Sequence, residues 1–224
     1  MLKGIALDFD GIIVDTETQW FEIYREWLAG EYGYDLRMED YVVCVGASSS
    51  ALFEFLGGVL DLRETAQEFE ARAKEEFMRR SAELPALPGV AELVRAAKGE
   101  GVKLAIATSA TRAKPEFHLR RLGLLDCFDA LSTADLFEHI KPAPDAYLKA
   151  AELLRIEPGE CLAIEDSGNG LISAQRAGMP CLVVKSEITS KDTFNQPYFE
   201  LGSLAEFDYA QARSWFEELD ACGR

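Results

Sequence analysis

The chain has 224 residues, of which 48% are hydrophobic and 28% are charged, so it has enough apolar residues to bury the core of a globular protein. Its formal net charge of −16 argues against general binding to nucleic acid polymers or anionic membranes, because both carry negative charge. An anionic substrate would need a metal ion or fixed cations in its binding site to overcome this charge.

The first predicted strand, GIALDF (4–9), runs into a group of carboxylates. Asp8, Asp10 and Asp15 fall within eight residues of otherwise hydrophobic sequence. A buried strand avoids charge unless something compensates for it. Strict alternation along a strand would aim Asp8 and Asp10 to the same side, so we expect the two carboxylates to act together.

A long helical stretch follows Glu17. TQWFEIYREWLAGEYG carries apolar residues at helical spacing and ends at Gly33, and MEDYVVCVG, SSALFEFLGG and RETAQEFEARAKEEFMRR continue the helical pattern. Pro85 and Pro88 stiffen a connector before the next predicted helix. We therefore predict a helical cap domain over residues 16–85, inserted into a core domain made of residues 1–15 and 86–224.

Four more short apolar runs alternate with helical patterns. They are VKLAIAT (102–108), CFDALS (127–132), CLAIED (161–166) and CLVVK (181–185). Continuous apolar strands that alternate with helices are typical of a parallel sheet covered on both faces. The predicted fold class is α/β, with a Rossmann-like three-layer core, a central parallel sheet and the inserted helical cap domain.

Polar side chains follow three of the predicted strands. In doubly wound sheets ligands bind at the carboxyl ends of the strands, and several carboxylates at one edge would repel each other without a cation among them. A metal site that consists of oxygen ligands and contains few or no histidines fits Mg²⁺. Lys141, in HIKPAPDAY, precedes the helix that leads to the fourth strand. The polar residues at the strand ends are Asp8, Asp10, Thr108, Ser109, Glu165 and Asp166.

Four segments resemble, in order, the four motifs of the haloacid dehalogenase superfamily. They are DFDGIIVDTE, ATS, KPAPDAY and IEDSGNG. The helical segment between the first and second motifs looks like the C1 cap of the subfamily that contains β-phosphoglucomutase and phosphoglycolate phosphatase. The resemblance implies a Mg²⁺-dependent phosphatase that hydrolyses a small phosphomonoester through an aspartyl phosphate.

The resemblance also implies a role for each site residue. Asp8 would attack phosphorus, and Asp10 would protonate the leaving group and then activate water. Lys141 would offset negative charge between the nucleophile and the phosphoryl group, and Thr108 and Ser109 would bind phosphate oxygens. The implied metal ligands are Asp8, the backbone carbonyl of Asp10, Asp166, and Glu165 in or beside the coordination sphere.

Two alternatives to hydrolysis stay open. A β-phosphoglucomutase-like sugar phosphate mutase shares Thr16, but such mutases have a histidine where Trp20 stands and an arginine near VGASSS (45–50), where this chain has small residues. A non-catalytic phosphoacceptor or binding protein is the other alternative, although receiver-like proteins lack the helical insertion and an equivalent of Asp10. The expected partner is therefore a small phosphorylated metabolite.

The cysteines and the apolar runs bear on location. The five cysteines are odd in number and show no C-x-x-C spacing, so we expect reduced thiols rather than disulfides or a zinc site. No apolar run reaches the roughly 18 residues of a membrane helix. Asp8 interrupts the only candidate signal segment. The sequence predicts a soluble cytoplasmic protein, which we expect to be a monomer or a weak dimer.

Overall fold

The chain forms two compact units. The computed structural model describes residues 1–42, 49–186, 188–189, 194–196 and 198–221. Its contacts group Met1–Val14 with Pro85–Arg224 in one unit and place Asp15–Leu84 in the other. These boundaries differ by one residue from the division expected from the sequence, and the function of the second unit as a cap domain stays a prediction.

A parallel sheet forms the centre of the first unit. The strands are β1 (Gly4–Leu7), β2 (Lys103–Ala107), β3 (Ala130–Ser132), β4 (Cys161–Glu165), β5 (Cys181–Val184) and β6 (Phe199–Leu201). Within the described residues they form one sheet in the order β3-β2-β1-β4-β5-β6, and every neighbouring pair is parallel. The predicted α/β class with a central parallel sheet is confirmed, whereas the short sixth strand was not predicted.

The central strand β1 pairs in register with both of its neighbours. Leu7 is in register with Ile106 of β2 and with Ile164 of β4, so these three strands end at the same edge. All four residues of β1 are buried, as expected for a strand that is covered on both faces. The sheet therefore brings the residues that follow β1, β2 and β4 close together.

Helices connect the strands and form the second unit. Helices α5, α7 and α8 contact the sheet, and Tyr147 of α7 is fully buried in a core that otherwise consists largely of alanines. The small side chains let these helices approach the strands closely. In chain order the helices are α1 (Thr16–Tyr32), α2 (Met38–Val42), α3 (Ser49–Gly57), α4 (Ala66–Ser81), α5 (Val90–Gly99), α6 (Ala113–Arg121), α7 (Asp145–Leu154), α8 (Gly168–Arg176) and α9 (Tyr209–Ala221).

The second unit has an aromatic core of its own. Tyr24 stacks on Phe69 with ring centroids 5.3 Å apart, and Trp20 stacks on Phe77 at 4.1 Å. Aromatic side chains of α1 therefore pack against α4 within this unit. A capping box at Thr65 begins α4. Residues 43–48, which include most of the VGASSS segment, lie outside the described residues.

Two features bear on the predicted location. No helix in the described parts of the chain combines the length and the apolar character that a bilayer crossing requires. Among the described cysteines, Cys127, Cys161 and Cys181 are free, and burial raises the pKa of Cys161 to about 12, so its thiol stays protonated. Cys44 and Cys222 lie outside the described residues.

Candidate active site

The first predicted motif lies in a tight turn after β1. The strand ends at Leu7, and the Asp8 amide donates a hydrogen bond to the carbonyl of Ile164 at 2.9 Å. Asp10 then forms an isolated bridge with Val14. The turn, rather than continued strand alternation, therefore sets the directions of the Asp8 and Asp10 carboxylates.

Gly11 lets this turn lie against a second motif. Its φ of +73° is in the left-handed region that favours glycine. A Cβ atom at this position would lie 2.0 Å from Oδ2 of Asp166, so a side chain here would displace that carboxylate. The glycine of the D-x-D-G motif thus permits close contact between the residues that follow β1 and those that follow β4.

Lys141 joins two carboxylates at the centre of the site. Its Nζ lies 2.7 Å from Oδ1 of Asp8 and 2.5 Å from Oε1 of Glu165. The lysine side chain is 7% exposed and that of Glu165 is 0% exposed. The Lys141 amide also donates to Oγ of Ser109 at 3.3 Å, which links the third motif to the second.

Glu165 is held by donors on both carboxylate oxygens. The Tyr147 hydroxyl donates to Oε1 at 2.7 Å, and the Ser167 hydroxyl donates to Oε2 at 3.2 Å. The Asp166 amide also donates to Oε2 at 3.2 Å. A Cβ atom on Gly170 would lie 1.9 Å from this carboxylate, so the start of α8 packs directly against it. Glu165 is consequently fixed in place by its surroundings.

Three carboxylates form a candidate metal site. Oxygen atoms of Asp8, Glu165 and Asp166 all lie within 4.8 Å of one another. Asp8 and Asp166 are both buried, so water screens their repulsion only weakly. Carboxylate oxygens at this spacing fit a hard divalent cation.

The protonation of the site reflects burial and crowding. Burial raises the pKa of Asp8 to about 7, and repulsion from Glu165 and Asp10 acts in the same direction against the lowering effect of Lys141. Burial by itself would lower the pKa of Lys141, but attraction to Asp8 and Glu165 outweighs it and raises that pKa above its ordinary value. The lysine therefore stays charged. Additional positive charge near Asp8 would favour its ionised form.

The second motif follows β2 at the same edge. The Thr108 amide donates to the carbonyl of Ser132, and its hydroxyl accepts a hydrogen bond from the Ala110 amide at 3.1 Å. Thr108 is 1% exposed, whereas Ser109 is exposed. The hydroxyl hydrogen of Thr108 is available for donation because that contact uses the oxygen as an acceptor.

Asp10 has a cationic partner that the sequence does not predict. Lys114, in the first turn of α6, places its Nζ 2.6 Å from Oδ1 of Asp10. The Asp10 side chain is 28% exposed, more than that of Asp8 at 12%. Each of the two aspartates of the first motif therefore pairs with a lysine, and the Asp10 side chain is the more exposed of the two.

Three residues of this network of hydrogen bonds and ion pairs were not predicted as site residues. Tyr147 ends the KPAPDAY segment and Ser167 occurs in IEDSGNG, so both lie in motifs whose charged residues were singled out. Lys114 lies in none of the motifs. The signal for it is a lysine in the first turn of the helix after Thr108, where the helix dipole disfavours a cation.

The model of the haloacid dehalogenase-like hydrolase family matches residues 5–184. The chain belongs to this family. The protein "Putative phosphatase YhcW" of Bacillus subtilis is 37% identical over 211 residues, with 94% of this chain and 96% of the relative covered. "Phosphorylated carbohydrates phosphatase" of Thermotoga maritima is 32% identical over 179 residues, with 80% of this chain and 82% of the relative covered.

A solved structure supports the fold assignment. CbbY from Rhodobacter sphaeroides, in complex with phosphate, has a TM-score of 0.71 and 28% sequence identity, with 92% of this chain and 96% of that chain covered. The prediction of a haloacid dehalogenase-like enzyme is confirmed, because this chain is a hydrolase of the family and its relatives are named phosphatases.

Proposed function

We propose that this haloacid dehalogenase-like hydrolase cleaves a small phosphomonoester with the help of Mg²⁺ and through an aspartyl phosphate on Asp8. The observation that carries this proposal is the buried contact of Lys141 with Asp8 and Glu165, next to Asp166. The positive charge of Lys141 reduces the repulsion between the Asp8 and Glu165 carboxylates, and its Nζ contacts one oxygen of Asp8. The other oxygen of Asp8 can approach phosphorus. The two phosphatase relatives support the reaction class.

The reaction uses two carboxylates in different roles. In the first step Asp8 forms a bond to phosphorus, the bond from phosphorus to the leaving oxygen breaks, and Asp10 gives its proton to that oxygen. In the second step Asp10 takes a proton from a water molecule that attacks the aspartyl phosphate. The bond from phosphorus to the Asp8 oxygen breaks, which regenerates the Asp8 carboxylate and releases inorganic phosphate. The greater exposure of Asp10 suits a group that exchanges protons with water.

The remaining residues bind and position the phosphate. Lys141 offsets the charge of the phosphoryl group beside Asp8, and the Thr108 hydroxyl and the Ser109 amide donate to phosphate oxygens. Asp8, Asp166 and the carbonyl of Asp10 would hold Mg²⁺. When bound, Mg²⁺ supplies positive charge that reduces the repulsion between the carboxylates and the phosphoryl group.

Glu165 is placed beside the metal rather than on it in this proposal. Both of its oxygens already accept hydrogen bonds, from Lys141 and Tyr147 on one side and from Ser167 and the Asp166 amide on the other. Coordination of a metal would compete with these donors. We therefore assign Glu165 the role of orienting Lys141.

The test is release of inorganic phosphate from p-nitrophenyl phosphate, with Mg²⁺ and with a chelator, by the wild-type protein and by Asp8→Asn. The variant keeps the volume of the side chain but removes the nucleophile, so we expect the rate to fall at least about 1,000-fold with the fold intact by circular dichroism. Wild-type activity in Asp8→Asn would refute the mechanism. Interconversion of sugar phosphates without phosphate release would instead indicate the mutase, and a long-lived phosphoprotein without turnover would indicate the phosphoacceptor.

We also propose a cytoplasmic location, supported by the three free cysteines among the described residues. The expected substrate is a small phosphorylated metabolite. A monomer or a weak dimer stays the prediction for the oligomeric state.

A further inference from the structure

We propose that Lys114 is a positioning residue that holds the Asp10 carboxylate in place for proton transfer. The inference rests on the proposed function, in which Asp10 gives a proton to the leaving oxygen. Lys114 touches neither phosphorus nor the leaving group in this scheme. Its contribution acts only through the orientation of Asp10.

The contact joins two elements that are distant in the chain. Nζ of Lys114 lies 2.6 Å from Oδ1 of Asp10, across a separation of 104 residues. One end lies on the turn after β1 and the other on the first turn of α6. A charged hydrogen bond this short restricts the directions in which the carboxylate can point.

The place of Lys114 is unfavourable for the helix itself. It is the second residue of α6, where the positive end of the helix dipole repels a cation, and Arg112 before the helix provides no side-chain cap. The local energetics of α6 therefore do not explain a lysine at this position. The partner in the turn after β1 does, because Asp10 supplies the negative charge that compensates.

Orientation matters for Asp10 more than for an ordinary surface aspartate. A general acid must lie within hydrogen-bond reach of the leaving oxygen, and small displacements lower the rate considerably. Asp10 lies in the turn after β1, and the contact with Nζ of Lys114 favours one direction of its carboxylate.

The experiment compares two substrates with different leaving groups. The p-nitrophenolate of p-nitrophenyl phosphate leaves without a proton, whereas the alkoxide of glycerol 1-phosphate needs one. We expect Lys114→Met to lower kcat/KM for glycerol 1-phosphate roughly 10- to 100-fold and for p-nitrophenyl phosphate less than about 3-fold. Lys114→Arg keeps the charge and should recover most of the loss.

Lys98→Met is the matched control. Lys98 pairs with Asp129 at 3.1 Å in the same unit, and both side chains are 39% exposed, which is close to the 32% and 28% of Lys114 and Asp10. We expect this control to leave kcat/KM for both substrates within about 2-fold of the wild type, since an exposed ion pair contributes little. Melting temperatures of all variants show whether each one is folded.

Three outcomes would overturn the proposal. Equal losses on both substrates with a raised KM would mean that Lys114 binds phosphate directly. If kcat/KM fell for neither substrate, the contact would be an ordinary surface ion pair with no role in the reaction. Asp10→Asn tests the proposed function separately. Because kcat/KM reports the first step, this variant should lower kcat/KM for glycerol 1-phosphate far more than for p-nitrophenyl phosphate, whereas kcat for both substrates should fall with the loss of the base in the second step. If it did not, the acid role of Asp10 would fail, and the role of Lys114 with it.

Discussion

Removal of the Tyr147 hydroxyl tests whether the buried network around Glu165 is held together by its hydrogen bonds. Tyr147→Phe keeps the ring and deletes one donor, which lies 2.7 Å from Oε1 of a carboxylate that is 0% exposed. A hydrogen bond to a charged group contributes about 1.5–3 kcal/mol, so we expect the free energy of unfolding to fall by about 2 kcal/mol. For a chain of this length that corresponds to a decrease of roughly 4–8 °C in Tm.

Urea denaturation at pH 7, followed by circular dichroism, measures this loss. Tyr198→Phe is the control, because its exposed hydroxyl donates to Glu200 at 3.3 Å and its removal should cost less than about 0.5 kcal/mol. The reasoning is refuted if the two variants lose the same amount. In that case the Tyr147 hydroxyl would contribute no more than an exposed phenol, and Glu165 would not depend on it.

Two further predictions concern His118 and Gly170. Burial, together with the charges of Arg121 and Lys114, lowers the pKa of His118 to about 4. The unfolded chain takes up this proton near pH 6.5, so the free energy of unfolding should fall by roughly 3 kcal/mol at most between pH 6.5 and 4, and His118→Asn should flatten that decrease in urea titrations. Gly170→Ala should destabilise the protein by about 1–3 kcal/mol because its Cβ would meet the Glu165 carboxylate at 1.9 Å. Gly99→Ala, with open space around its Cβ, should instead stabilise by up to about 1 kcal/mol, and a similar gain at Gly170 would contradict this account.

The sequence predicts the parts of the fold that depend on local pattern. The strands β1, β2, β4 and β5 are four or five residues long and mostly buried, and such short apolar runs are recognisable in a sequence without any tertiary contact. The strand β6 was missed because FEL has only three residues, of which Glu200 is exposed and the two apolar residues are half-buried. Its pairing with β5 comes from tertiary structure rather than from its own composition.

The candidate site was predictable where charge interrupts apolar sequence. Asp8 and Asp166 directly follow buried strands and Glu165 ends one, and the parallel order of the strands brings the three residues together. Lys114 was not predictable in this way, since a lysine on an exposed helix is usually solvated. Only the three-dimensional path of α6 past the turn after β1 gives it a partner.

The central position of β1 has a consequence for the biosynthesis of the protein. Asp8 leaves the ribosome before its lysine partner, which follows 133 residues later in the chain. Contacts between residues that are so far apart in the sequence form slowly, because the segment between them must first lose conformational entropy. Until Cys161–Glu165 joins the sheet, Asp8 lacks the neighbouring carboxylates of Glu165 and Asp166. A polypeptide that terminates before that strand can form the opening turn but never its cluster of charges.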